Sequence, residues 1–217
     1  MKSLSLSRPL IIVMIGLPGS GKSFFARKFA DMFNAPLVSF DYLYNTLFPD
    51  PSYSREEEDL VKDIYFHEVE ELLKTQRTIV VDGAASERPE RQNLHLLAKQ
   101  HDYGVLLVWS QTDMPTAKSR SLRRNPKRAG DELNTSMEEE TFASYVKRFT
   151  APFKGEDFVV ISGKHTFATQ ARIVLKKIVS PRAEASQAVA LQPPVKRPPQ
   201  KQPHATSTNK RPNRLIS

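Results

Sequence analysis

One stretch near the start of the chain constrains the fold more than any other. Residues 16–23 read Gly-Leu-Pro-Gly-Ser-Gly-Lys-Ser, which is the full G-x-x-x-x-G-K-[ST] pattern. An apolar run precedes the pattern at 10–15 and an amphipathic stretch follows it at 24–33, which predicts a buried strand, a tight turn and a helix. A glycine turn that merely joined strand to helix would not require the Lys-Ser pair. We therefore expect the chain to bind a nucleoside triphosphate.

The positions of this loop have separate predicted contacts with the nucleotide. The glycines let the backbone adopt conformations that a Cβ would forbid, and they bring N–H groups against an anion. The helix that follows adds its unpaired N–H groups and the positive end of its dipole. Lys22 is expected to reach the β- and γ-phosphates, and Ser23 to offer its hydroxyl to Mg²⁺. The predicted nucleotide-binding residues are Gly16, Pro18, Gly19, Ser20, Gly21, Lys22 and Ser23.

Short apolar runs alternate with helical patterns along the first 179 residues. The runs predict strands near 10–15, 37–40, 78–81, 103–109 and 158–161. Two capping boxes, Ser54 with Glu57 and Ser136 with Glu139, and the proline Pro89 predict three helix starts. Because strands buried on both faces are continuously apolar, the alternation predicts an α/β fold with a parallel five-stranded sheet and helices on both faces. The ligand is expected at the carboxyl ends of the strands.

The last part of the chain differs in composition from the rest. Segment 180–217 holds seven of the 16 prolines, seven basic residues and one acid, so it carries +6 of the net charge of +8. The remaining residues, 25 basic and 23 acidic, do not by themselves establish a basic folded surface. A segment so poor in large apolar side chains does not offset its ordering entropy. We expect a folded domain at 1–179 and a disordered, Pro-rich basic tail that either contacts nucleic acid or a protein or is simply solvated.

Cysteine usage and apolar runs limit the other classes of protein. Cysteine is absent, which excludes disulfides, Cys-bearing zinc sites and thiol catalysis, and the five histidines show no ligand spacing. The apolar run at 10–15 leads straight into the phosphate loop, so cleaving it as a signal peptide would destroy the strand that carries the loop. No apolar stretch approaches the ~20 residues of a membrane span. We expect a cytoplasmic protein with no membrane partner and no structural metal.

Two acids follow predicted strands at the edge where the ligand is expected. Asp41 comes directly after the second strand, where a carboxylate can accept the proton of an attacking hydroxyl. Capping of the next helical turn is the alternative role for Asp41. Asp82 closes the apolar run 79–81 and fits a Walker-B-like role in holding Mg²⁺ or its waters, or else is a plain turn residue before Gly83. The sequence thus offers a candidate base and, with Ser23, a candidate metal site.

A basic segment follows the fourth predicted strand. Residues 118–128 include six Lys or Arg and no acid, and they fall within 114–136, where a lid is expected. Arg120, Arg123 and Arg124 lie on roughly one helical face. Guanidinium groups that close over the phosphates would neutralise transition-state charge and exclude water, although a solvated basic face explains the run equally well. We retain these three arginines as candidate catalytic residues, beside Lys22 and Asp41.

Missing motifs and size restrict the kind of nucleotide-dependent protein. No guanine-reading N-K-x-D stretch follows a predicted strand, which disfavours a GTPase switch. The folded part is too short for a typical motor core with its additional helical domain. The remaining classes are an ATP-dependent transferase and a non-catalytic nucleotide-binding module whose basic tail recruits a partner. ATP turnover that depends on Asp41 would distinguish the two.

Taken together, these features resemble the P-loop kinases grouped around the phage-type polynucleotide 5′-kinase, an AAA-type ATP-binding group. Zeta-toxin-like kinases and gluconate kinases are similar in outline. The resemblance rests on the loop at 16–23, the two acids, the charged segment 87–91 and the arginine-rich lid, and it covers about 9–179. It implies an ATP- and Mg²⁺-dependent kinase with Asp41 as the general base and a lid arginine at the transferred phosphate. The implied reaction moves the γ-phosphate of ATP to a hydroxyl.

Two positions depart from the pattern of the polynucleotide kinases. Segment 41–47 contains no arginine to grip an acceptor phosphate, and Asp82 is followed by Gly-Ala instead of a polar Thr-Asn pair. Arg88 and Arg91 remain as candidates for contacting such a phosphate. The sequence therefore leaves the acceptor open between a nucleic-acid 5′-hydroxyl and a small metabolite.

Overall fold

The computed structural model describes residues 8–52, 54–124 and 136–179. The strands are β1 (Leu10–Ile15), β2 (Leu37–Ser39), β3 (Ile79–Asp82), β4 (Gly104–Gln111) and β5 (Phe158–Ser162). The helices are α1 (Lys22–Phe33), α2 (Phe40–Leu47), α3 (Arg55–Leu73), α4 (Arg88–Gln100), α5 (Met114–Leu122), α6 (Glu139–Arg148) and α7 (Phe167–Val179). The predicted disordered tail at 180–217 and the lid residues 125–135 lie outside the described residues.

The strands form one parallel sheet with β1 at its centre. Their order is β2-β3-β1-β4-β5, and every neighbouring pair is parallel. Asp82, the last residue of β3, pairs in register with Met14 of β1 on one side and Ser39 of β2 on the other. The carboxyl ends of these three strands therefore meet at one edge. The predicted α/β fold with a parallel five-stranded sheet is confirmed.

Helices cover both faces of the sheet, because successive β1 side chains point to opposite sides. Val13 is fully buried with Tyr65 of α3 and Leu94 of α4, on what we call the α3–α4 face. Ile12 is fully buried with Phe25 of α1 and Val174 of α7, on the α1–α7 face. The phosphate loop and the helix that it opens therefore project from a rigid central strand.

The predicted helix starts were partly right. Ser54 caps α3, and its hydroxyl accepts a hydrogen bond from the N–H of Glu57. Pro89 lies in the first turn of α4, as expected. The second predicted capping box is wrong, because α6 begins at Glu139 with Glu138 at the cap position and without a side-chain capping bond. The basic segment after β4 is helical as far as Leu122, where α5 ends.

The apolar run at 10–15, which resembles part of a signal peptide in sequence, forms the buried central strand β1. Residues 8–179 fall within one compact unit that spans Met1–Ser180. Over the described part of this unit, every helix is too short or too polar to span a membrane.

Candidate active site

The phosphate loop lies between the end of β1 and the start of α1, where the sequence pattern places it. Gly21 is the N-cap residue of α1 and has a φ of +95°, and no side chain caps the helix. The first N–H groups of α1 therefore point toward the loop without a capping side chain, which is the arrangement that binds phosphates. Lys22 and Ser23 are the first two residues of this helix.

The loop packs closely against α5, and Gly19 makes this contact possible. A Cβ at Gly19 would clash with the backbone carbonyl of Ala117 in α5, and its φ is +76°. Only glycine meets both conditions without strain. The glycine pattern thus serves packing against α5 as well as the approach of phosphates.

Two hydroxyl groups, one in β4 and one just after it, hold the phosphate loop in place. Ser110 donates a hydrogen bond from its Oγ to the Ser20 carbonyl oxygen at 2.9 Å, and Thr112 donates to the same oxygen at 3.2 Å. Sequence analysis missed both residues, because a serine at the end of an apolar strand carries no signal of its own. They orient the backbone of the loop before any ligand binds, which is preorganisation in the physical sense.

Asp82 lies at the carboxyl end of β3 and is only 4% exposed. Burial raises the pKa of this carboxyl above its usual value, while Lys22 and a hydrogen bond with Ser23 lower it and Asp41 raises it. Its Oδ1 has no hydrogen-bond partner among the described residues. A buried carboxylate oxygen without a partner, next to the Ser23 hydroxyl, is a donor set that fits Mg²⁺.

Asp41 lies inside the first turn of α2, and this position decides between its two predicted roles. The cap of α2 is Ser39, whose Oγ accepts a hydrogen bond from the N–H of Tyr42 at 3.4 Å. The capping role considered for Asp41 is therefore wrong. The side chain of Asp41 is exposed, and its charge raises the pKa of Asp82. The structure thus brings Asp41, Asp82, Lys22 and Ser23 to one end of the sheet.

The candidate lid arginines are only partly placed by the described residues. Arg120 reaches the loop after β5 and donates a hydrogen bond to the Gly163 carbonyl at 3.3 Å. Arg123 is the exposed residue at the C-cap of α5, and Arg124 follows it, half-buried. Their predicted catalytic role stays a prediction, because the rest of the lid lies outside the described residues.

Arg91 does not contact an acceptor, contrary to one possibility left open by the sequence. It is 1% exposed and forms a two-pronged ion pair with Glu156, at 2.7 and 3.2 Å. Its remaining nitrogen donates to the carbonyls of Ala85 and Thr150. Arg91 therefore fixes the β3–α4 loop to the segment after α6, and an acceptor phosphate has no access to it.

Two further contacts connect the start of α4 with α6 and the segment after it. The Arg88 guanidinium lies over the Phe153 ring, 4.5 Å from its centroid. Arg148 of α6 pairs with Glu87 at 3.5 Å. Burial raises the pKa of Tyr145 on the same helix, and the charge of Asp41 raises it further. Tyr145 is a neighbour of the candidate base that sequence analysis missed, because its helical spacing reads as ordinary core.

The fold and the site together define a P-loop nucleotide-binding domain of the kinase-like type. Residues 11–152 match the AAA domain family AAA_33, and the chain belongs to that family. No curated protein matches the sequence.

Solved structures, two of them of kinases, share this fold at low sequence identity. A gluconokinase from Sinorhizobium meliloti is 18% identical, with a TM-score of 0.58 over 85% of this chain and 98% of its own. The Mycobacterium tuberculosis APS kinase CysC, in complex with AMPPNP and APS, is 18% identical, with a TM-score of 0.58 over 80% and 99%. Kti12 from Chaetomium thermophilum, in complex with ADP-AlF3, is 17% identical, with a TM-score of 0.56 over 79% and 100%. At these identities the likeness establishes the fold, and the narrower resemblance to polynucleotide and zeta-toxin-like kinases is not confirmed.

Proposed function

We propose that the protein is an ATP-dependent phosphotransferase that moves the γ-phosphate of ATP to a hydroxyl acceptor. The observation that carries the proposal is that the exposed carboxylate of Asp41 lies near enough to Asp82 to raise its pKa, at the end of the sheet where Lys22 and Ser23 begin α1. A non-catalytic nucleotide-binding module would need the phosphate loop but would not need a second, exposed carboxylate near Asp82.

The proposed reaction is a direct displacement. The acceptor oxygen forms a bond to the γ-phosphorus, the bond from that phosphorus to the β,γ-bridging oxygen breaks, and ADP leaves. Asp41 accepts the proton of the attacking hydroxyl. Lys22 and the N–H groups at the start of α1 neutralise charge on the phosphates.

Ser23 and Asp82 are the residues that would hold Mg²⁺, through the hydroxyl of one and the unpartnered carboxylate oxygen of the other. When bound, the ion supplies charge neutralisation at the β- and γ-phosphates. Burial raises the pKa of Asp82, while Lys22 and a hydrogen bond with Ser23 oppose this effect and favour the ionised form that a metal ligand needs. In the proposed reaction Asp82 is a ligand and Asp41 is the base.

The lid arginines complete the proposed machinery. Arg120, already at the loop after β5, is positioned beside the phosphate loop through Gly163, whose own N–H bonds to the Gln111 carbonyl at 2.8 Å. Arg123 and Arg124 follow at the end of α5, so closure of the lid would bring them toward the same phosphates. Substituting each arginine by Lys, one at a time, identifies the one that contributes to kcat.

A transfer assay tests the proposal. The full chain is incubated with γ-labelled ATP, Mg²⁺ and a panel of hydroxyl acceptors, in parallel with the Asp41→Asn variant and the control Asp63→Asn, an exposed acid of α3. Labelled acceptor that forms with wild type and the control, but not with Asp41→Asn, supports a kinase. Tight ATP binding without any labelled acceptor would favour the module whose tail recruits a partner.

A further inference from the structure

An open groove of about 580 Å³ runs along the outer surface of α7 beside α1. Six of the described residues that line the groove belong to α7, where their helical spacing places them along one stripe. The seventh belongs to α1. The candidate active site contains none of these residues, so its proposed chemistry does not account for the groove. The lining residues are Met32, Ala168, Ala171, Arg172, Leu175, Lys176 and Val179.

The floor of the groove is apolar and belongs to the core. Ala171 is 4% exposed and packs in one cluster with Phe25 and Phe29 of α1. Leu175 packs against the same cluster, and Ala168 lies three residues before Ala171 on the outside of α7. Because alanine projects only a methyl group, the two alanines leave space at the surface. The groove is therefore held in shape by the core beneath it.

Apolar side chains are also exposed around this floor. Met32 of α1 is 50% exposed, and Val179 at the end of α7 is 71% exposed. Phe24, eight residues before Met32 on the same face of α1, is 50% exposed. Single exposed apolar residues are ordinary, whereas several around one groove indicate an interaction surface.

Two cations in the groove have no acidic partner among the described residues. Arg172 and Lys176 lie one turn apart on α7, and both are exposed. Lys177, the next residue, lies outside the groove and pairs with Asp157 at 2.6 Å. No acid occurs within α7 itself. The two cations of the groove are therefore available to an anionic partner.

A third cation extends this basic character along α1. Lys28 lies one turn before Met32, and its Nζ is 4.8 Å from the centroid of the Phe24 ring. It also lies 6.0 Å from the centroid of Phe167, the first residue of α7. The acid that α1 contributes beside this surface is Asp31, next to Met32. Cations therefore outnumber acids around the groove.

This charge limits the kind of partner that fits. A symmetric contact with a second copy would bring the same cations together. Segment 180–217 carries +6 and would also be repelled. Of the anionic partners, nucleic acid prefers a more polar surface than this one, where five of the seven lining residues are apolar. A bilayer takes up apolar side chains that protrude, whereas a groove takes up the apolar face of a helix.

From these observations we propose that the groove between α1 and α7 is a docking surface for an acidic amphipathic helix of a partner protein. The apolar face of that helix enters the groove, and its acids lie beside Arg172 and Lys176. The stripe from Ala168 to Val179 is about 16 Å long, at 1.5 Å per residue, which matches roughly three turns of a bound helix. The inference does not depend on the proposed phosphotransferase activity.

Binding of synthetic helices to the full chain tests the proposal. The probe is a fluorescently labelled peptide of about four turns, with leucines at i, i+3, i+4 and i+7 and glutamates beside them. One control peptide has lysines in place of the glutamates. A second control has the same composition in an order that breaks the apolar face. Fluorescence anisotropy should show binding of the acidic amphipathic helix alone, and the binding should weaken as salt is raised.

A charge reversal localises the binding. The double variant Arg172→Glu with Lys176→Glu should weaken binding of the acidic helix at least roughly tenfold, because like charges then face each other. It should also bind the lysine peptide, which wild type does not. The matched control is Lys99→Glu with Lys147→Glu, two exposed lysines of α4 and α6 whose reversal changes the net charge equally.

A second variant fills the groove without changing its charge. Ala168→Trp places a large side chain on the exposed part of the floor and should abolish binding of the acidic helix. Ala143→Trp, at an exposed position of α6, is the matched control and should bind like wild type. Melting curves verify that each variant is folded.

Binding of the acidic helix that both groove variants weaken and both controls retain supports the proposal. It is overturned if the acidic helix does not bind, if the lysine peptide binds wild type equally well, or if the groove variants and their controls are equally weakened. Phosphatidylcholine vesicles containing phosphatidylglycerol and a single-stranded oligonucleotide serve as two further probes. If either of them, and not the acidic helix, loses binding in the groove variants alone, the surface serves a membrane or a nucleic acid and the proposal is wrong.

Discussion

The proposed nucleotide side, around the start of α1 and Asp82, and the proposed acceptor side, around α4 and α6, hold their polar groups in opposite ways. On the nucleotide side, the N-terminus of α1 lacks a capping side chain and Asp82 keeps a buried oxygen without a partner. On the acceptor side, Arg91 and Arg148 are each paired with a glutamate. Groups kept without partners are available to a ligand, whereas paired groups maintain the shape of the wall. We therefore expect the nucleotide side to bind charge and the acceptor side to present a preformed surface.

The largest expected effect tests the nucleotide side. Lys22→Ala should lower phosphoryl transfer by at least about 10³-fold, because it removes the side-chain cation at the phosphates. The fold should survive, since Lys22 is the half-buried first residue of α1 and not part of the core. Lys28→Ala, an exposed position of the same helix, should retain full activity. If Lys22→Ala kept nearly wild-type activity, the assignment of this end of α1 as the nucleotide side would be contradicted.

The second prediction tests where the two sides meet. Asp41→Asn keeps the shape of the side chain but removes the proton acceptor, so kcat should fall by about 10²–10⁴-fold. Because Ser39 and not Asp41 caps α2, the substitution should leave the local fold intact. The affinity for ATP should therefore change little. Single-turnover rates and equilibrium ATP binding separate the two quantities. An unchanged rate would mean that the base lies elsewhere on the acceptor side.

A third prediction concerns the paired charges of the acceptor wall. Arg91→Met leaves Glu156 buried without its partner and should reduce the free energy of unfolding by about 3–5 kcal/mol, or roughly 6–20 °C in Tm. The double variant Arg91→Met with Glu156→Gln should recover much of this loss. If the single variant is as stable as wild type, the wall does not depend on this pair.

The same pair predicts a pH dependence. Burial alone would raise the pKa of Glu156, but hydrogen bonds from Arg91 and from the Phe153 N–H outweigh it, so that its pKa is lowered from the usual 4.5. A carboxyl whose pKa is lower in the folded state stabilises the fold above pH 4.5, and this stability is lost as the pH falls below that value. Thermal unfolding of wild type between pH 6 and 3 should show this loss, and the double variant should show less of it.

A smaller effect distinguishes the unpartnered group of the nucleotide side from the paired groups. Because burial raises the pKa of Asp82, its ionised form is unfavourable in the folded protein without ligand. Asp82→Asn should therefore raise Tm of the ligand-free protein by roughly 2–4 °C, while weakening binding of Mg²⁺-ATP. Melting with and without Mg²⁺-ATP measures both changes. A lower Tm without ligand would indicate that Asp82 is structural.

The smallest expected effect concerns the segment after the folded unit. A chain that ends at Ser180 should melt within about 1 °C of the full chain, because the Pro-rich composition of the tail gives it little to bury. If the acceptor is a polynucleotide, oligonucleotide binding by the tail-less chain should also depend less on salt. The slope of log affinity against log salt should become shallower by about 0.7 for each phosphate contact that is lost. No binding of a 5′-hydroxyl oligonucleotide at low salt would favour a small-molecule acceptor.

The sequence alone determined the features that depend on local spacing. The loop pattern at 16–23, the apolar strands and the acid Asp82 at a strand end were sufficient to predict the sheet and the nucleotide side, because glycine geometry and strand burial are local constraints. The capping box predicted at Ser136 was wrong, because candidate cap positions close together in the sequence differ little in free energy. In the structure the cap of α6 is Glu138.

Only the tertiary structure decided which charged groups are available. In sequence, Arg88 and Arg91 are two similar arginines at the start of one helix. In the fold, Arg91 forms an ion pair with Glu156, 65 positions away, and Arg88 lies over an aromatic ring. Likewise, Trp109, Phe149 and Ser20 come from distant segments and form one cavity. Partnering and enclosure depend on contacts between residues far apart in the chain, and no local pattern encodes them.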